Sequence, residues 1–327
     1  MDKIKVNIIT GFLGVGKTSA ILNLLKNKPL EENWAILVNE FGEIAIDGHV
    51  LREGNDKNLL IKEISGGCMC CVGKTLLDIS LDKIIHTLEP SRILIEPSGL
   101  GHVNLIISTL LSPSFKDKVL VMSPICLIDP RLLHEEQILD SSIFKDQVEY
   151  SEILLANKSG LREKDEIDHF YDFAKKFVPA KKYVSHTSHG RKITDYIDVP
   201  LTDFVANPPL EITGMFTDSA TGSSNEKFLK KINENKDFVG VGWIFPPGTF
   251  FKISKLISTI HSLEKIIRLK GFLQTKNDWL FFNKTLYSME INKTSPKKEG
   301  ILEIIVPKTQ KDLLKKFEID LINSIDN

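Results

Sequence analysis

The chain has 327 residues, enough for two domains at roughly 150 residues each. It is 42% hydrophobic, 8% aromatic and 26% charged, an ordinary globular composition, and 42 Lys and Arg against 43 Asp and Glu leave a net charge of −1. That balance argues against a nucleic-acid binder, whose footprint is strongly basic. No apolar run reaches the ~18 residues of a membrane span, since the longest, Val119 to Ile128, contains Ser123 and Pro124.

In chain order, Met1 to Thr10 is a short strand-like run with neither the apolar region nor the cleavage site of a signal peptide. Val6 to Thr10 reads as a buried strand, and Lys17 to Lys26 as a helix with Ile21, Leu22, Leu24 and Leu25 as its apolar stripe. Between them Gly11-Phe12-Leu13-Gly14-Val15-Gly16-Lys17-Thr18 matches G-x-x-x-x-G-K-[ST], in the strand–loop–helix context that this motif requires. Its glycines let backbone N–H groups turn inward around a β-phosphate, and the helix amino terminus adds partial positive charge. Lys17 is placed to reach the β- and γ-phosphates and Thr18 to ligate Mg²⁺. The candidate nucleotide-binding residues here are Gly11, Gly14, Val15, Gly16, Lys17, Thr18 and Ser19, with Lys17 also a catalytic candidate.

Trp34 to Asn39 is the next apolar run. Ser65-Gly66-Gly67-Cys68-Met69-Cys70-Cys71 then holds three of the chain's four cysteines. Cysteines so close in sequence make poor structural disulfides, because each bridge would close almost no loop. Reduced thiols in a cytoplasmic protein fit better. Three thiolates select Zn²⁺ first, then Co²⁺, Cu⁺ or Ni²⁺, and the fourth ligand must come from elsewhere or from water. Buried, inert cysteines and a redox thiol are the competing readings. Cys126, in an apolar run, reads as a core residue.

Thr75 to Leu88 reads as a helix, and Arg92 to Glu96 as an apolar strand ending in a carboxylate. In Glu96-Pro97-Ser98-Gly99, Glu96 is a candidate for Mg²⁺ directly or through water, with a catalytic role, and the Gly99 N–H for the γ-phosphate. Val119 to Asp129 and Glu152 to Asn157 complete the apolar runs. Runs that are apolar throughout suit a parallel sheet covered on both faces. Alternating with helices, they predict an α/β, doubly wound, mostly parallel P-loop NTPase sheet over residues 1–205.

Asn207-Pro208-Pro209 and the run from Asp218 to Asn225 mark 206–225 as a linker region, with Leu210 to Phe216 a strand candidate inside it. Residues 226–327 read as a smaller α+β domain. Its strands are expected near Val239 to Phe245, Ile266 to Thr275, Trp279 to Asn283 and Gly300 to Val306, and its helices at Gly248 to Ser262 and Gln310 to Ser324. Trp243, Ile244 and Phe245 suit either core packing or a client surface, and core packing is the expectation.

These motifs together resemble the CobW/HypB/UreG family of phosphate-loop GTPases, in its CobW-like metallochaperone branch. The resemblance rests on Gly11 to Thr18, on Val38-Asn39-Glu40-Phe41-Gly42-Glu43 with Ile46-Asp47, on Gly66-Gly67-Cys68-Met69-Cys70-Cys71, and on Glu96-Pro97-Ser98-Gly99-Leu100. Asp129, Gln147 and Ala156-Asn157-Lys158 fall in the family's order. Trp243 to Phe250 and Arg268-x-Lys270-Gly271-Phe272 are similar to its carboxy-terminal module. The resemblance implies GTP hydrolysis coupled to delivery of a metal, commonly zinc, or cobalt in some members, to a client metalloprotein. It leaves homo-oligomerisation open. It makes Val38 to Asp47 a switch segment in which Glu40, Glu43 and Asp47 lie near the Mg²⁺, the attacking water or the transferred metal. Glu43 and Asp47 are the catalytic candidates there and Glu40 a metal candidate. Asn157 and Lys158 become nucleotide-binding, and Cys68, Cys70 and Cys71 transition-metal ligands.

One residue departs from the pattern. The family's guanine motif Asn-Lys-x-Asp here reads Asn157-Lys158-Ser159-Gly160. The aspartate accepts hydrogen bonds from guanine N1–H and the 2-amino group, so its loss removes base discrimination of about 1–3 kcal/mol per unmade bond. Glu163 and Asp165 are the nearby carboxylates. His49 and His102 are the candidates for the fourth thiolate-site ligand, while His186 and His189 read as a solvated loop pair. Two other functions compete: a metal-responsive regulator or buffer with a slow NTPase timer, and an ATP-preferring NTPase or kinase, which leaves the cysteines unexplained.

Overall fold

The computed structural model describes residues 2–38, 59–63, 74–158, 164–202 and 228–326. The chain divides into two compact units, Met1–Glu211 and Ile212–Asn327. The linker region at 206–225 and its strand candidate lie outside the described residues.

In the first unit the strands are β1 (Ile4–Gly11), β2 (Trp34–Val38), β3 (Leu59–Glu63), β4 (Arg92–Glu96), β5 (Val119–Val121), β6 (Ile125–Ile128), β7 (Ile153–Ala156) and β8 (Tyr183–His186). They form one sheet in the order β3-β2-β4-β1-β6-β7-β8, with β5 also against β1, and every pairing is parallel. Every residue of β2, β4, β6 and β7 is buried, as continuous apolar runs in a parallel sheet require. The helices are α1 (Lys17–Lys26), α2 (Lys74–Leu88), α3 (Val103–Leu110), α4 (Glu136–Leu139), α5 (Ser142–Glu149) and α6 (Lys164–Ala174). Leu77, Leu81 and Ile84 of α2 and Val103, Ile106 and Ile107 of α3 pack with Val6, Ile8, Leu37 and Ile93 in one core.

The run expected from Val119 to Asp129 is two strands. Met122 and Ser123 are engaged by the returning chain, through a bridge from Met122 to Pro200 and a bond from Ser123 N–H to Val199 O (2.8 Å). Pro124 itself has no N–H to offer a ladder. Strands β3 and β8 are short, and neither stood out in the apolar pattern.

In the second unit β9 (Leu229–Glu234), β10 (Phe238–Phe245), β11 (Arg268–Gln274), β12 (Trp279–Thr285), β13 (Met289–Thr294) and β14 (Gly300–Pro307) form an antiparallel sheet ordered β13-β12-β11-β14-β10-β9. Helices α7 (Ile253–His261) and α8 (Leu313–Asn323) pack Leu256, Ile260, Leu314, Phe317 and Leu321 against Val239, Trp243, Leu269, Phe282 and Ile304. Helix α7 begins five residues later than Gly248, because Phe251 bridges to Thr275 and Ile325 and holds the chain extended. Trp243 and Phe245 are core residues, and the Trp243 Nε1–H donates to Glu318 Oε2 at 2.8 Å.

Candidate functional site

Strand β1 lies between β4 and β6, where the chain's winding direction reverses, and open α/β sheets bind ligands at the carboxyl ends of strands flanking that point. Gly11, Glu96, Ile128 and Ala156 end the four central strands on that edge.

From Gly11 the chain turns through the loop into α1. Gly16, immediately before the helix, has φ +94°, and a Cβ there would lie 2.8 Å from Asn157 Nδ2. Only glycine takes this backbone without strain. Since glycine brings no side chain to cap α1, the first-turn amides and the positive helix end face the loop, an arrangement that holds anions. Lys17 is buried, and its Nζ donates to Gly11 O (3.0 Å) and Phe12 O (3.3 Å), which keeps the ammonium over the loop. Ser19 is exposed on the first turn of α1.

Thr18 Oγ1 donates to Glu96 Oε1 at 2.9 Å. Glu96 is fully buried at the end of β4. A hydroxyl and a carboxylate brought together from two elements are the hard oxygen donors that Mg²⁺ takes, so these residues fit the ion implied by the phosphate loop. Gly99 lies close against that loop: a Cβ on it would stand 2.6 Å from Leu13 Cδ2 and 2.9 Å from Leu13 Cα.

Asn157, 2% exposed, ties the loop to the turn after β8. Its Nδ2 donates to Val15 O at 2.7 Å and its Oδ1 accepts from Gly190 N–H at 3.1 Å. Lys158 has φ +61° and its Nζ lies 3.7 Å from Asp129 Oδ2. Arg131 grips the same buried carboxylate through Nε (3.1 Å) and NH2 (2.7 Å). His186 ends β8 and His189 sits in the following loop, both exposed. Asp165 is exposed in the first turn of α6.

Two adjacent residues of α5, Asp146 and Gln147, hold the segment after Glu96. Gln147 Nε2 donates to Gly99 O (3.1 Å) and Gly101 O (3.2 Å). Asp146 Oδ2 accepts from Val103 N–H (2.6 Å) and Asn104 N–H (3.4 Å), and its Oδ1 lies 3.4 Å from His102 Nδ1. Sequence reading placed Gln147 in the family's order without a role and did not single out Asp146; contacts spanning 42 to 48 residues leave no local signal.

Glu40, Glu43, Asp47, His49, Cys68, Cys70, Cys71, Ser159, Gly160 and Glu163 lie outside the described residues. Their points of departure do not. Val38 pairs in register with both Glu63 and Glu96, so the chain enters 39–58 and 64–73 from the edge where Glu96 meets Thr18. Among the described residues no group of three or more His, Cys, Asp or Glu is arranged to hold a metal ion. Cys126 is 1% exposed in β6, and burial pushes its thiol up to about 12 against the opposing charges of Lys181 and Lys17, so it stays protonated.

A doubly wound parallel sheet, a glycine loop before α1, and a buried carboxylate beside its threonine define a phosphate-loop nucleotide-binding protein. The chain belongs to the CobW/HypB/UreG family, whose nucleotide-binding domain model matches residues 5–185. It is 33% identical over 276 residues to the zinc chaperone YeiR of Escherichia coli strain K12, covering 83% of each chain. It is 26% identical over 310 residues to the zinc chaperone CobW of a Sinorhizobium species, covering 83% of this chain and 81% of that one. Over 166 residues it is 31% identical to the zinc chaperone YjiA of E. coli K12, covering 49% of this chain and 50% of that one.

Proposed function

We propose that the protein is a GTP-hydrolysing metallochaperone that couples nucleotide binding and hydrolysis to the binding and transfer of a transition metal, zinc foremost, to a client protein in the cytoplasm. The observation that carries this reading is the register of Glu63, Val38 and Glu96 on three adjacent strands. The segment with Glu40, Glu43 and Asp47 follows Val38, the neighbour of Glu96, and the segment with Cys68, Cys70 and Cys71 follows Glu63, one strand further out on the same sheet edge. Relatives named as zinc chaperones support zinc as the cargo. No helix among the described residues is long and apolar enough to cross a membrane.

In this reading the amides of the loop and of the first turn of α1 hold the phosphate chain. Lys17 exchanges its contacts with Gly11 O and Phe12 O for β- and γ-phosphate oxygens. Thr18 and Glu96 hold Mg²⁺, which supplies charge neutralisation on the phosphates. The Gly99 N–H faces the γ-phosphate, Asn157 and Lys158 lie toward the base, and the 39–47 carboxylates orient water or receive the cargo. The thiolates at 68, 70 and 71 take the metal, with an incomplete shell that favours exchange. Nucleotide-dependent ordering of the two segments gives the metal two affinities, which is the condition for driven transfer.

The direct test is phosphate release from Mg²⁺–GTP by the reduced protein. Turnover that Lys17→Ala abolishes supports the reading. Turnover that survives Lys17→Ala, or its absence with and without Zn²⁺, overturns the GTPase assignment.

A further inference from the structure

Helix α5 carries two buried polar side chains that the phosphate chemistry above does not use. Gln147 is 0% exposed and Asp146 is 4% exposed, and both point at the segment that runs from Glu96 into α3. Gln147 uses both N–H bonds of its amide, one on Gly99 O and one on Gly101 O. Those carbonyls sit in a tight turn closed by Gly101 N–H to Ser98 O at 2.8 Å. Asp146 accepts the first amides of α3, doing from another helix what a capping side chain does locally. The side chain at the cap position of α3, His102, makes no capping bond and instead lies beside Asp146. On its other side the turn meets the phosphate loop, where Gly99 lies against Leu13. The turn from Ser98 to Gly101 is therefore held between α5 and the loop.

We infer that Gln147, supported by Asp146, is a positioning residue for the reaction: its hold on the Gly99 and Gly101 carbonyls fixes the turn in which Gly101 N–H binds Ser98 O, and Ser98 O shares its peptide plane with the Gly99 N–H that meets the γ-phosphate. This rests on the nucleotide reading above and adds to it the residues that place one of its donors. A backbone amide facing a developing charge is useful only where its direction is set beforehand. Glycine supplies no such restraint, and the amide of Gln147 supplies it from outside the turn. GDP lacks the group that this amide meets, so the restraint acts on the triphosphate and its transition state and leaves the diphosphate alone. A purely structural glutamine would act on all three together.

Gln147→Met, close in volume and without donors, tests this in the full-length reduced protein. Two quantities are read: kcat and KM for Mg²⁺–GTP, and the ratio of affinities for a non-hydrolysable GTP analogue and for GDP. The expected result is a fall in kcat on the order of 10- to 100-fold, a fall in the analogue-to-GDP ratio, and a GDP affinity within about twofold of the parent. Gln147→Glu, which keeps the shape but sets a carboxylate against two carbonyls, should give the same pattern more strongly. Should Gln147→Met unfold, Asp146→Asn keeps the shape and loosens the start of α3, with the same selective loss in smaller measure. Losses shared equally by GDP and the analogue, or no loss, would overturn the inference. If the parent protein does not hydrolyse GTP, the GTPase reading fails by itself, and the affinity ratio still decides the role of Gln147.

Discussion

Thr18 and Glu96 are 78 positions apart in sequence and share a hydrogen bond of 2.9 Å between the first turn of α1 and the end of β4. The parallel pairing of β1 with β4, which matches Ile8 with Ile95, carries both residues to the same sheet edge. Glu96→Gln keeps the shape and removes the charge. It should weaken Mg²⁺ binding in the presence of GTP by about 10- to 100-fold, with Mg²⁺-free nucleotide affinity little changed. A Mg²⁺ titration of GTP binding reads this directly.

Asn157 ties the phosphate loop to the turn after β8. Asn157→Ala leaves Val15 O and Gly190 N–H without their partner, at about 1–3 kcal/mol for each group left unpaired. We expect lower thermal stability and weaker binding of GTP and ATP alike. Gly160→Asp, by contrast, should raise the preference for GTP over ATP by about tenfold or more. Competition binding with GTP, ATP and ITP separates the two effects.

Gly99→Ala places a methyl group 2.9 Å from the Leu13 backbone. Leu13 or the turn must move, at about 1–3 kcal/mol. Loss of stability in thermal unfolding, with triphosphate affinity falling more than diphosphate affinity, is the expected outcome.

Away from the site, Glu152 accepts hydrogen bonds from Ser123, Thr202 and Lys182 where the chain returns to the base of the sheet. Burial pushes its carboxyl up, but those bonds outweigh burial and hold it below the usual range. A carboxyl lower in the folded than in the unfolded state contributes stability above its unfolded pKa, and that stability is lost as pH falls through the folded value. Glu152→Gln should therefore lower stability at neutral pH and flatten the decline on the acid side. Denaturant titrations between pH 3 and 7 (approximate working range) check the slope.

Local patterns in the sequence carried the loop, α1 and β4, because each is a short motif in which apolar period and special residues coincide. Continuous apolar runs marked β2, β6 and β7, and the strands expected near Val239 to Phe245 and Gly300 to Val306 are β10 and β14, whose buried and half-exposed residues alternate. Strand β8 escaped because Tyr183 to His186 is only partly buried at the sheet edge. Strand β13 escaped for the same reason: its lysine, glutamate and asparagine belong to an exposed edge. Within the site, Lys17, Thr18, Glu96 and Gly99 were legible as residues, and the sheet order explains why they converge. The hold of Asp146 and Gln147 on residues 99–104 was not legible, since nothing local in α5 announces a partner more than 40 residues earlier.

Coupling between nucleotide and metal is the central claim, and calorimetric titration of the reduced protein with Zn²⁺ tests it most directly. The titration is run without nucleotide, with Mg²⁺–GDP, and with Mg²⁺ and a non-hydrolysable GTP analogue, beside a Cys68/Cys70/Cys71→Ser variant. The account predicts tight binding that the variant loses and that differs between the GDP and analogue states. Zn²⁺ affinities identical in all three states, or binding that survives in the variant, would contradict it.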